Sequence, residues 1–288
     1  MLEKKKLLLP DYMHYSFLDQ SIYPMNAKIW CDEDDKGSYF CVNDDRWLTF
    51  DKDKHLRKMY LPGVSYIPRG VFYAGAENPG TFETFEANFE AGVYAKTLEY
   101  VEELDLPDVI RIEGNNFGWM EIIKTLKIPK CEFLGERCFW NVTSLTDIDA
   151  KSLVWCENSV FQNICFNFEN PVILDFPNLT ITQRYFCQNA FAVREVNMPN
   201  VKVLGMGAFG FCRYLKEFNG PELMVMEDYV FQECDRMTSV RTKKLRTVGS
   251  HVLEKAYNLK EFDAENLGAA GVGCHQLVYD RLLQNKTK

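Results

Sequence analysis

From Val193 the chain reads VREVNMPNVKVLGMGAFGFCRY, and from Leu215 it reads LKEFNGPELMVMEDYVFQECDR. The two 22-residue segments correspond position by position, with Pro199 and Pro221 in the same place. With that proline as anchor, equivalent positions fall at Pro62, Pro107, Pro129, Lys151, Pro177, Pro199, Pro221, Lys243 and Glu265. From Pro107 onward every step is 22 residues except Lys151 to Pro177, which is 26 and carries four extra residues around FNFEN. The 45 residues between Pro62 and Pro107 leave room for one degenerate copy near TFETFEANFEAGVYAKTLEY. A fixed period in this range is the signature of a solenoid, whose coils bury their faces only against their neighbours.

The columns of the repeat say which way each residue points. Six before the anchor stand Leu56, Val101, Ile123, Leu145, Val193, Leu215, Met237 and Leu259, and the column three before it is equally apolar, from Met59 to Phe262. Two and five after it the apolar residues continue, as in Val201 and Leu204. Ten after it a ring recurs as Phe72, Phe117, Phe139, Phe161, Phe209 and Phe231, with Phe186 one place early and Leu253 as substitute. About six side chains per coil therefore enter one continuous core.

The same stretch holds a G-x-G-x-x-G at Gly205, Gly207 and Gly210, with Glu227 where a dinucleotide site needs its acid. That site requires a helix of at least about 10 residues after the glycines. Gly220-Pro221 interrupts the chain first, so a tight bend without nucleotide is expected.

The pattern L-x-x-V-x-M-P-x-V-x-x-L-x-x-x-A-F-x-x-C-x-x-L, from Val193 to Leu215 with Val at the first place, resembles the BspA-like, Treponema-type leucine-rich repeat. Ala208, Phe209 and Cys212 form its most specific element, and the resemblance runs from Leu56 to about Ala270. It implies an α/β solenoid, a curved right-handed superhelix with a short parallel β-ladder on its concave face. It also implies a role in binding proteins rather than in catalysis, with no cofactor and no metal. About nine coils over residues 56–270 are expected, with residues 1–55 as an N-terminal cap containing a β-hairpin and residues 271–288 as a C-terminal cap.

With 47% hydrophobic residues the 288-residue chain has material for a large core, and no apolar run approaches the ~18 residues of a membrane span. The start, MLEKKKLLLP, has too short an apolar stretch for an export signal. Cys131, Cys156, Cys187, Cys212 and Cys234 occupy core columns, where cysteine acts as a small buried hydrophobe, so unbonded thiols and a cytoplasmic location are expected. Cys31 and Cys41 lie in the segment read as a hairpin, which could set them across from one another. Within it, DEDDKGSYFCVN nearly spells a calcium loop, but Lys36 and Asn43 stand where oxygen ligands belong, so an acidic turn is expected. His14, His55, His251 and His275 form no zinc spacing and are read as surface or capping residues.

Strand side chains alternate, so residues four and two before the anchor point outward from the ladder. The first set is Glu103, Thr125, Asp147, Ile173, Glu195, Glu217, Ser239 and Glu261, and the second is Asp105, Lys127, Asp149, Asp175, Asn197, Asn219, Arg241 and Asp263. Nine of these are acidic and two basic, a net of −7 against −8 for the whole chain. The nine acids are the candidate partner-binding residues. A face of this sign disfavours nucleic acid and attracts a basic protein partner. The rival functions are a carbohydrate-active enzyme using paired carboxylates and a cell-surface adhesin of the same repeat family. An enzyme needs two carboxylates in unlike environments, whereas a regular ladder is expected to present nearly equivalent ones. Four after the anchor, Tyr66, Phe133, Trp155, Ile181, Val203 and Val225 form a further apolar column, interrupted by Arg111, Thr247 and Ala269. One residue of register decides whether it is tucked in, as expected here, or an exposed stripe.

Overall fold

The computed structural model describes residues 29–53, 55–67, 69–70, 72, 100–167 and 169–287. Each coil places its anchor in a turn and a short strand on either side of it, so the strands alternate between two ladders. Before the coils come β1 (Ile29–Glu33), β2 (Ser38–Val42) and β3 (Asp45–Phe50), joined antiparallel. The first ladder comprises β4 (Leu56–Tyr60), β6 (Glu103–Asp105), β8 (Thr125–Lys127), β10 (Asp147–Asp149), β12 (Val172–Asp175), β14 (Val193–Asn197), β16 (Glu217–Asn219), β18 (Ser239–Arg241) and β20 (Glu261–Asp263). The second comprises β5 (Tyr66–Ile67), β7 (Arg111–Ile112), β9 (Phe133–Leu134), β11 (Trp155–Cys156), β13 (Ile181–Thr182), β15 (Val203–Leu204), β17 (Val225–Met226), β19 (Thr247–Val248) and β21 (Ala269–Ala270). Within both ladders the strands pair in parallel, for example Asp105 with Lys127 and Leu204 with Met226.

The second ladder runs unbroken through nine strands, whereas the first divides into a seven-stranded sheet ending at β10 and a five-stranded sheet beginning at β12. The division falls where the repeat carries its four extra residues. The expected degenerate coil between Pro62 and Pro107 is not a rung. Strand β4 pairs directly with β6 and β5 with β7, which leaves no place between them in either ladder. The copy assigned there, in residues 73–99, lies outside the described residues.

Inward columns make the core. Leu104, Leu126, Leu174, Leu204 and Met226 are buried, and the rings of Phe117, Phe139 and Phe161 stack along the axis at centroid distances of 5.3 and 5.6 Å. Where Phe186 stands one place early, Phe176 bridges the stack, 5.6 Å from Phe161 and 5.5 Å from Phe186. The sequence columns did not single out Phe176, because it sits beside the anchor rather than in the ring column.

Two columns of the repeat adopt left-handed backbone geometry, joined in some coils by a third residue, Cys165, Phe231 or Leu253. One column holds Asn115, Arg137, Ser159, Tyr185, Gly207, Tyr229, His251 and Gly273, and the other holds Trp119, Asn141, Asn163, Asn189, Phe211, Glu233 and Lys255. That geometry costs a non-glycine residue about 1–2 kcal/mol. It aims backbone amides along the axis, so Tyr185 donates to the Met206 carbonyl, Gly207 to Asp228 and Tyr229 to Ser250. Asparagine tolerates the conformation best after glycine, and Asn141, Asn163 and Asn189 also form a side-chain ladder at 2.6 and 2.7 Å.

These contacts settle the glycine motif. Gly207 occupies a left-handed place, and a Cβ on Gly205 would meet the Gln183 and Thr182 backbone at 2.6–2.7 Å. Glu227 accepts from the Met206 amide of the preceding coil at 2.9 Å. Beyond Gly210 the chain turns and enters β16 without forming a helix.

The helical part of the expected α/β solenoid is small. Among the described residues one helix occurs, α1 (Gln276–Lys286), and it covers the last coil. His275 caps it by accepting from the Leu277 amide, while Asn285 donates to the carbonyls of Ala264 and Leu267. No described helix is long and apolar enough to cross a membrane.

Candidate binding face

The period of two along the ladder strands works as the repeat demands. In β16, Phe218 is buried between exposed Glu217 and Asn219, and β20 repeats the pattern about Phe262. The predicted acids Glu103, Asp105, Asp147, Asp149, Asp175, Glu195, Glu217, Glu261 and Asp263 therefore all stand on outward rows, with only Ser239 of those rows buried.

They are not equivalent, contrary to the expectation of a uniform ladder, because basic side chains reach across the rungs. Lys58 and Lys127 both donate to Glu103, at 2.8 and 3.0 Å. Partial burial opposes ionisation of Glu103, yet these two ammonium groups outweigh it and hold its carboxyl below the ordinary range. Two residues along the same strand, Asp105 is pushed the other way by partial burial, which the attraction of Lys127 and Lys58 only partly offsets. Arg241 bridges Glu217 and Glu261 at 3.3 and 2.7 Å, and Arg281 of α1 lies 3.5 Å from Asp263.

Asp147, Asp149, Asp175 and Glu195, on β10, β12 and β14, have no ion pair among the described residues. Asp175 accepts only the Asn197 amide, at 2.6 Å, and Asp149 keeps a buried oxygen with no hydrogen-bond partner. The sequence reading missed Lys58, which precedes the first rung it counted, and Arg281, which belongs to the cap. The column four before the anchor reaches Lys58 when it is extended to Pro62, whereas no column gave a signal for Arg281.

On the second ladder the column from Tyr66 to Ala269 faces outward, which corrects the expectation that it is tucked in. Tyr66 is 51% and Trp155 41% exposed, and Ile181, Val203 and Val225 are partly so. Phe133 alone in this row is buried, because the Arg111 guanidinium lies 3.6 Å from its ring centroid and Trp155 packs beside it. The register reason is plain: the residue after each of these, such as Leu134 or Leu204, takes the inward place.

In the hairpin, Cys31 pairs with Phe40 and Cys41 with Trp30, so the two cysteines are not set across from one another. Asp34 makes the expected acidic turn, accepting from the amides of Lys36 and Gly37 and from Tyr39, and Arg46 lies near both Asp32 and Asp34. Asp51, Asp53 and His55 also lie close together, but Asp51 is already engaged by the His55 amide and by Arg57. Cys131, Cys138, Cys156, Cys187, Cys212 and Cys234 are buried and unbonded.

A family model described as BspA type leucine rich repeat region matches six copies, over residues 88–200 and 179–274. Among solved structures, a leucine-rich repeat protein from Bacteroides ovatus is 14% identical with a TM-score of 0.53, over 86% of this chain and 66% of that one. The leucine-rich repeat protein of T. pallidum is 13% identical with a TM-score of 0.37, over 83% of this chain and 92% of that one. The chain thus spans just under two thirds of the Bacteroides protein, and at these identities the likeness concerns the fold alone. No curated protein sequence is significantly similar. Since the repeat model matches well over half of the sequence, with the coils and ladders that the repeat requires, the chain belongs to the BspA-type leucine-rich repeat family.

Proposed function

We propose that the protein is a non-catalytic scaffold that binds a protein partner through basic side chains laid across β10, β12 and β14. The observation that carries this reading is the group Asp147, Asp149, Asp175 and Glu195, four acids on β10, β12 and β14 that close no ion pair among the described residues, although Lys127 faces Asp149 in register. Elsewhere on the face Lys58, Lys127, Arg241 and Arg281 pair with Glu103, Glu217, Glu261 and Asp263. Unpaired charge of one sign steers a complementary partner. The unbonded core thiols support a reducing, cytoplasmic setting.

The test compares wild type with an Asp147→Lys, Asp175→Lys, Glu195→Lys variant. A Lys/Arg-rich peptide serves as a defined probe, beside capture from the native host. The variant is expected to stay folded and lose both, and wild-type binding is expected to weaken as salt shortens the ~8 Å screening length. Equal binding by both forms sinks the proposal.

A second reading rests on Glu103 and Asp105, whose carboxyls are pushed in opposite directions as an acid–base pair requires. Glu103 is held by two lysines, which leaves it poorly placed to attack a substrate. Hydrolysis of a glycoside panel that disappears in Asp105→Asn would establish this alternative.

A further inference from the structure

Three consecutive coils line a groove of about 310 Å³ with Phe191, Arg213, Tyr214, Asp235 and Arg236. All five lie in turns rather than strands. Phe191, Arg213 and Asp235 are equivalent positions of successive repeats, as are Tyr214 and Arg236, so the solenoid itself stacks them. The Arg236 guanidinium lies 4.1 Å from the Tyr214 ring centroid, and Arg194, from the preceding coil, lies 4.0 Å from it. Arg213 is 6.0 Å from the Phe191 centroid, 3.5 Å from Glu233 and 3.9 Å from Asp235.

This combination is a recognition site in chemical terms. A guanidinium stacked on a ring is pre-oriented, with its fork of donors free to meet a carboxylate in two parallel hydrogen bonds. Asp235 supplies acceptors for hydroxyl groups, and Phe191, half-buried, offers an apolar surface. The volume is at the small end of ligand pockets. A peptide would find no strand edge here to pair with, because the lining is all turns. A sugar that carries a carboxylate uses every group present.

We propose that this groove binds an acidic saccharide: Arg236 takes the carboxylate, Arg213, held by Glu233 and Asp235, adds positive charge beside it, Asp235 accepts from ring hydroxyls, and Phe191 backs the C–H face of the sugar. Tyr214 is a positioning residue that holds Arg236. The inference is independent of the partner reading of the acidic face, since the two surfaces share no residue.

The experiment is a calorimetric titration of the full chain with digalacturonate, beside its neutral counterpart galactobiose and a short Asp/Glu peptide. Wild type is expected to bind digalacturonate and neither of the others. Arg236→Gln is expected to weaken binding at least about 10-fold, through loss of one charge-assisted contact, with the thermal midpoint unchanged because Arg236 is exposed. Tyr214→Leu is expected to weaken binding less. Absence of uronide binding by wild type overturns the proposal. So does equal binding of galactobiose, binding of the peptide instead, or undiminished uronide binding by Arg236→Gln.

Discussion

Phe139 sits at the middle of the ring stack, 0% exposed, with Phe117 at 5.3 Å and 9° and Phe161 at 5.6 Å and 11°. Truncating it to alanine removes a fully buried ring, which costs about 3–5 kcal/mol through lost transfer energy and the cavity left behind. Both stacked neighbours lose a face contact, each such pair being worth ~0.5–1.5 kcal/mol beyond burial. The backbone hydrogen bonds that run from coil to coil, such as Phe139 to the Val160 carbonyl, resist collapse of the void. The expected cost is therefore at the upper end, about 5 kcal/mol. That is a large share of the ~5–15 kcal/mol that holds a typical domain. Because each coil touches only its neighbours, the loss also weakens coupling between the two halves of the solenoid. Urea unfolding followed by tryptophan fluorescence and by circular dichroism measures both effects: the midpoint falls, and the two probes cease to coincide. Phe139→Leu keeps most of the volume and is expected to cost under about 1.5 kcal/mol. A loss below about 2 kcal/mol for Phe139→Ala, with coincident probes, would refute the account of the core as one coupled ring stack.

Substitutions at Glu103 and Asp105 are expected to have opposite signs. The depressed Glu103 carboxyl contributes stability that is present above its unfolded value and lost as pH falls through the folded one, so Glu103→Gln lowers the thermal midpoint at neutral pH. The raised Asp105 carboxyl is easier to ionise in the unfolded chain, so Asp105→Asn raises that midpoint; equal signs for the pair contradict the assignment. Burial lowers the titration of His275, whose neutral ring caps α1. The unfolded chain takes up that proton first, so stability is expected to fall as pH drops below about 6.5, and His275→Asn, which keeps a cap, should flatten the dependence. Burial pushes the thiols of Cys131, Cys156 and Cys212 up to about 12, so iodoacetamide at mildly alkaline pH is expected to spare them in the folded protein and label them after denaturation. Intact mass reads both states.

Inward positions were legible in the sequence because burial restricts them to a few residue types. Leu104, Leu126 and Phe262 could be placed from the spacing alone, and so could the buried sulfurs of Cys212 and Cys234. Irregularities were harder. Phe176 was missed because it substitutes in space for a ring that is displaced in sequence, and the residues around TFETFEANFEAG looked like a repeat although the rungs on either side pair directly. Outward positions were the least legible. Glu195, Glu217 and Glu261 share one column, yet Arg241 bridges the last two and leaves Glu195 alone. A column reports direction, not company, and the partners come from other rungs or from the cap.

The irregular step and the unpaired acids are connected. In a parallel ladder each outward side chain faces its equivalent one rung away, and like charges so placed destabilise the pair. In the column two before the anchor, Lys127 stands between Asp105 and Asp149 in register, and Arg241 between Asn219 and Asp263, so a cation or a neutral residue separates its acids where the ladder is continuous, whereas in the column four before the anchor Glu195 and Glu217 stand on adjacent rungs. With an uninterrupted 22-residue step, Asp149 would face Asp175 directly. The extra residues around FNFEN fall at this place, and β10 and β12 belong to different sheets. The break keeps Asp149 and Asp175 from pairing in register. Four carboxylates then persist on β10, β12 and β14 without an ion pair among the described residues, and a cationic partner has most to gain by binding there.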